Sequence, residues 1–125
     1  MTTAIKPRVL VVDDESLIRI WLEAHVGDAG FLVDMAEDAA TAREAFRTHP
    51  PDAVLLDLKL PDGNGLELLR EFLEVDPDLV VIMLSAHGDI ATAVEAVKLG
   101  AHHFLEKPPK LEDIQVTLAR GLENR

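Results

Sequence analysis

A doubly wound α/β sheet, with five parallel strands and five helices over its two faces, is the fold predicted by three features of the sequence. Short apolar runs recur at 9–12, 31–33, 53–56, 79–84 and 104–105. Stretches of helical period separate them, the alternation expected of parallel strands joined by crossover helices. Each run gives way at once to a polar residue, so the apolar segments end sharply.

The elements follow in order. After the first run, Leu17, Ile18, Trp21, Leu22, His25 and Val26 recur at spacings of one, three and four, predicting a helix closed near Gly27 or Gly30. The second strand is the least apolar and carries Asp34 near its end, as a strand at a sheet edge can. A second helix is capped around Asp38, with Ala39, Ala42 and Phe46 on one face. The third starts at Asn64, a good N-cap with Glu67 three residues on, and turns Leu66, Leu69, Phe72 and Leu73 inward before Pro77. The fourth starts at Asp89 and is expected to bury Ile90, Ala93, Val94 and Val97 before Gly100. The fifth follows Pro108-Pro109 and repeats Leu111, Ile114, Leu118 and Leu122. Right-handed crossovers between five strands lead to the flavodoxin-like order 2-1-3-4-5.

The chain of 125 residues is read as one domain, 1–125, with 48% hydrophobic and 28% charged residues. A formal charge of −11 is the wrong sign for neutralising nucleic-acid phosphates, so direct DNA binding by this chain is not expected. With no cysteine there is no disulfide framework and no thiolate metal site. The apolar run 79–84 is too short to span a bilayer, and the leader lacks an apolar core, so neither a membrane segment nor a signal peptide is expected. The expected location is cytoplasmic.

In a doubly wound sheet, ligands bind beyond the carboxyl ends of the strands. Those positions hold Asp13 and Asp14, Asp57, Ser85 and Lys107. Three carboxylates on one rim repel each other and imply a cation. Oxygen donors without His or Cys suit a hard ion, and Mg2+ needs only one or two carboxylates beside waters and a phosphate oxygen. Lys107 adds positive charge for an anion. A carboxylate so placed can attack a phosphoryl group, and Asp57, on the central strand, is the natural nucleophile.

The segments VLVVDDE, AVLLDLKLPDGNGLELL, VIMLSAHGDIATAVEAVKLGA and FLEKP together resemble the receiver domain of two-component response regulators, end to end. The resemblance implies that Asp57 is the phosphoacceptor and that Asp13 and Asp14 hold Mg2+, with Asp57 and the main-chain carbonyl of Lys59 as further ligands. It also implies that Ser85 bonds the phosphoryl group, that Lys107 pairs with it, and that Phe104 is the switch aromatic. Lys59 and His87 would tune the lifetime of the phosphorylated form. Wording around 60–69 and 84–101 is most similar to NtrC-like enhancer-binding regulators. Two departures stand out: Pro109 where a Phe commonly follows Lys-Pro, and Phe104 without the hydroxyl of a Tyr.

The implied partners are a sensor histidine kinase, an effector domain in the same full-length chain or a partner protein, and a second copy through the helix 4, strand 5, helix 5 face. Similarity to NtrC-like receivers favours the N-terminal part of a longer regulator over a stand-alone receiver or phosphorelay intermediate. The chain is not expected to be an enzyme beyond self-directed phosphotransfer and slow autodephosphorylation. A haloacid-dehalogenase type of phosphohydrolase would want an acid two residues after its nucleophile, where this chain has Lys59. A pure interaction module would not need the complete acid set. His87, His102 and His103 lack ligand spacing, and the segment 62–67 lacks the alternating acids of a calcium loop.

Overall fold

The computed structural model describes residues 6–86 and 90–124. Five parallel strands form the main sheet: β1 (Arg8–Val12), β2 (Leu32–Ala36), β3 (Ala53–Asp57), β6 (Val80–Ser85) and β7 (His103–Glu106). Between β3 and β6 lies a small antiparallel pair, β4 (Lys59–Leu60) and β5 (Gly63–Asn64). The helices are α1 (Ser16–Asp28), α2 (Ala39–Thr48), α3 (Gly65–Val75), α4 (Ile90–Lys98) and α5 (Leu111–Glu123). The sheet order is β2-β1-β3-β6-β7, which is the predicted 2-1-3-4-5 once the small pair is set aside.

Apart from Arg8, Asp57 and Ser85 at their ends, the three inner strands are apolar because both their faces are covered. Leu10, Val12, Val54, Leu56, Val81 and Met83 face α2, α3 and α4. Val9, Val11, Ala53, Leu55, Ile82 and Leu84 face Leu22 and Val26 of α1 and Ile114 and Leu118 of α5. Each such aliphatic side chain, fully buried, contributes about 1.5–3 kcal/mol. On the first face Phe46 of α2 stacks on Phe72 of α3, with ring centroids 4.2 Å apart and planes 3° from parallel. α1 ends where expected: Gly30 takes φ +100°, a left-handed conformation that a side chain would strain.

Three departures from expectation have physical causes. β2 extends to Ala36, through Asp34, because this edge strand is only partly covered and Arg8 of β1 offers Asp34 an ion pair at 2.8 Å. The pair β4–β5 was not anticipated, since two-residue strands leave no periodicity to read. The third is the face of α4: Ala93 and Ala96 are buried, whereas Ile90, Val94 and Val97 are 60%, 42% and 42% exposed. That helix is apolar on most sides, so period alone did not fix its orientation, and its two small residues allow close approach to the sheet. The expected start of this helix, Asp89, lies outside the described residues.

Candidate functional site

Four strand ends deliver the site. β1 continues into Asp13, whose N–H donates to the Ala36 carbonyl at 3.0 Å, so this carboxylate is carried into the interior and fully buried. Asp57 closes β3, paired in register with Leu84 of β6, and is 5% exposed. Ser85, also buried, ends β6, and its carbonyl accepts the Lys107 N–H at 2.8 Å, fixing the residue after β7. The bond between Lys107 and Pro108 is cis. Asp14, next to Asp13, is exposed.

The backbone after Asp57 is equally constrained. Lys59 N–H donates to Asp57 Oδ1 at 3.3 Å, which places the Lys59 main chain against the nucleophile candidate. Gly65 N–H donates to the Leu58 carbonyl at 2.8 Å, and a Cβ at Gly65 would run into the Asp57 carbonyl. Only glycine lets α3 start so close to the site. Asn64 caps that helix, its Oδ1 accepting the Leu66 N–H at 2.7 Å.

Lys107 is the electrostatic centre. Its ammonium donates to Asp57 Oδ2 at 2.7 Å and lies 2.8 Å from Asp13 Oδ2 and 3.1 Å from Glu15 Oε1. Burial acts to lower the Lys107 pKa, but the carboxylates of Asp13 and Asp57 outweigh it and raise the value above that of an ordinary lysine. For Asp57 burial dominates and pushes its pKa up; the Lys107 hydrogen bond opposes this, and the Asp13 charge adds to it.

The acids fit a hard cation. Asp13, Asp14 and Asp57 each present a carboxylate oxygen within 4.8 Å of the others. Asp13 Oδ1 accepts the Glu15 N–H at 2.9 Å, whereas buried Oδ2 makes no well-directed hydrogen bond among the described residues, its approach to Lys107 being an ion-pair contact. A buried oxygen in that state invites another positive partner. A cleft of about 180 Å³ on this rim is lined by Leu58 and Ala86 and by the polar residues Asp14, Glu15, Asp57, Lys59 and Lys107. That suits a phosphoryl group better than a large organic substrate.

Asp13, Asp14, Asp57 and Lys107 therefore meet as expected, with the Lys59 main chain at their edge. Phe104 is half-buried on β7 opposite Met83 and packs toward the α2–α3–α4 face. Ser85, two residues beyond Met83 on β6, shares that face by strand alternation. His87 lies outside the described residues. His102 and His103 are exposed and away from the acids. Two contributors escaped the sequence reading. Glu15 reaches Lys107 across 92 residues of chain, and Arg19 donates to the Asp13 carbonyl at 2.7 Å. Glu15 was visible as the third acid of the run 13–15, but its partner was not.

Comparison with known proteins accords with this geometry. The family model described as response regulator receiver domain matches residues 9–119. The photosynthetic apparatus regulatory protein RegA of Rhodovulum sulfidophilum is 37% identical over 112 residues, covering 90% of this chain and 61% of that protein. The response regulator protein PilR of Pseudomonas aeruginosa is 37% identical over 120 residues, covering 96% of this chain but 27% of that protein. The crystal structure of the receiver domain of NtrX from Brucella abortus superposes with a TM-score of 0.89 at 39% identity, covering 94% of this chain and 99% of that one. The chain thus spans less than two thirds of the curated relatives it matches here. By the extent of the family match, residues 9–119, this chain belongs to the response regulator receiver domain family.

Proposed function

We propose that this receiver takes a phosphoryl group onto Asp57 from a phosphohistidine of a sensor histidine kinase, in a reaction requiring Mg2+. The observation that carries the reading is the meeting of three carboxylates within 4.8 Å, one of them bonded to the partly buried Lys107. Asp13, Asp14 and Asp57, with the Lys59 carbonyl, would hold Mg2+, which when bound supplies positive charge to the transferring oxygens. An Asp57 carboxylate oxygen attacks phosphorus. The phosphorus–nitrogen bond breaks, and its electron pair stays on the imidazole nitrogen. Lys107 donates to a phosphoryl oxygen, and later attack by water at phosphorus returns the free carboxylate. The chain acts only on itself and is a switch, not an enzyme with turnover. Lys59 and His87 set how long the phosphorylated form lasts.

Phosphorylation adds about −1.5 to −2 charges to a rim that is already acidic. Ser85 moves to bond the phosphoryl group, and Phe104, on the same face of the adjacent strand, takes the space released. The readout is the face of α4, β7 and α5. The exposed stripe Ile90, Val94 and Val97 on α4 supports a second copy or an effector as the partner that covers it. Likeness to PilR and NtrX favours an effector in the same full-length, NtrC-like chain. The acidic net charge of −11 leaves DNA contact to that effector, in a cytoplasmic regulator.

Incubation with Mg2+ and acetyl phosphate, followed by intact mass spectrometry, tests the proposal. One phosphoryl adduct is expected, absent in Asp57→Asn and after chelation of the metal. An adduct that persists in Asp57→Asn would sink the assignment.

A further inference from the structure

Lys107 donates hydrogen bonds to Asp57 and Glu15 and makes an ion-pair contact with Asp13, so three carboxylates crowd an ammonium with three N–H donors. Phosphoryl transfer to Asp57 needs at least one of them for a phosphoryl oxygen. The three present acceptors are not equivalent. The side chains of Asp13 and Asp57 are 0% and 7% exposed, so releasing either leaves a charge in the interior. The Glu15 side chain is 58% exposed and is rehydrated the moment it lets go. Glu15 is also the N-cap residue of α1, yet its side chain makes no capping hydrogen bond. Its carboxylate reaches across the cleft to Lys107 instead, although an acid at a helix N-terminus normally serves its own helix.

We infer that Glu15 is a displaceable counter-ion of Lys107: it occupies the ammonium in the unphosphorylated site and is exchanged for a phosphoryl oxygen when Asp57 is modified. Glu15 is then a positioning residue that competes with the phosphoryl group, and it sets how readily the site accepts one. This rests on the reading of Asp57 as phosphoacceptor. The exchange also reports the event to the β1–α1 junction. Glu15 N–H is held by Asp13 and its carbonyl accepts the Arg19 N–H, so a released Glu15 side chain becomes free to interact with the first turn of α1.

The test compares the chain with Glu15→Gln and Glu15→Asp. Asp keeps the charge but is one methylene short of Lys107. Phosphorylation by acetyl phosphate at saturating Mg2+ is expected to accelerate in both variants by about two- to five-fold, the range an exposed ion pair can supply. The side-chain ammonium resonance of Lys107, followed by nitrogen-edited NMR without phosphodonor, is expected to shift in both. Rates equal to the parent in both variants would overturn the inference. So would acceleration in Gln alone, which would mean that bulk charge, and not the contact, matters. Failure of the parent chain to be phosphorylated on Asp57 would instead refute the functional reading. The contact would still be judged by the Lys107 resonance: an unmoved signal in Glu15→Gln disproves it.

Discussion

Gly65 shows how tightly single residues define the site. Replacing glycine by alanine in a helix ordinarily stabilises by up to about 1 kcal/mol. Here the added Cβ would enter the Asp57 carbonyl and approach Leu58 Cα at 3.0 Å, so backbone at Asp57 must shift. Gly65→Ala is expected to reverse the usual sign and lose about 1–3 kcal/mol, the cost of overpacking, while slowing phosphorylation. Urea denaturation and the acetyl phosphate assay on the same variant check both halves, and a stabilised Gly65→Ala would contradict the prediction. The acids themselves were easy to find. β1, β3 and β6 are buried on both faces, so their apolar runs stop abruptly at Asp13, Asp57 and Ser85. Glu15 and Arg19 could not be placed, because what gives them a role is contact in space with Lys107 and the Asp13 carbonyl.

At the scale of elements, α4 separates what pattern can determine from what it cannot. α3 carries its apolar residues, Val75 at its end excepted, toward the core and its charges away from it, and Leu69 and Phe72 are buried as its period required. α4 has only Thr92, Glu95 and Lys98 to mark a polar side among its nine residues, and apolar residues occupy the rest of its circumference. Contact with the sheet selected the face with alanines. Ala96→Leu is therefore expected to destabilise by about 1–3 kcal/mol, whereas Val97→Ser should change stability by less than about 0.5 kcal/mol. Thermal or urea unfolding of the two variants decides between this orientation and the one with Val97 inside, which would make Val97→Ser the costlier change. The β4–β5 pair was missed for another reason: at two residues each, its strands are held by what flanks them rather than by their own composition.

Across the whole molecule, side chains tie elements that lie far apart in sequence. Arg8 N–H meets Asp52 at 2.7 Å, and Arg43 of α2 meets Glu71 of α3 at 2.8 Å. Asp62, in the turn between β4 and β5, accepts the Ala39 and Ala40 N–H groups at 2.7 and 3.0 Å, joining Asp38 as a cap on α2. Local reading identified Asp38 and could not have identified Asp62, which arrives from 23 residues away. Those backbone hydrogen bonds hold the Asp62 carboxyl below the ordinary aspartate value of 3.8. A group whose native pKa is depressed stabilises the fold above its unfolded-state pKa, and that contribution is lost as pH falls through the native value. Asp62→Ala is thus expected to lower the denaturation midpoint at neutral pH, and its deficit should shrink as pH drops below 3.8. A deficit independent of pH would show that the carboxylate charge is not what caps α2.

The strand order has a consequence in time. During synthesis Asp13, Asp14 and Asp57 emerge well before residue 107, and β7, which sets Lys107 in place, docks at the sheet edge beside β6. A nascent chain ending short of β7 carries the acids of the rim without Lys107, the ammonium that meets Asp13 and Asp57. Lys107 therefore joins the acids of the rim only when the last strand docks, so completion of the sheet and arrival of its ammonium in the cleft are one event.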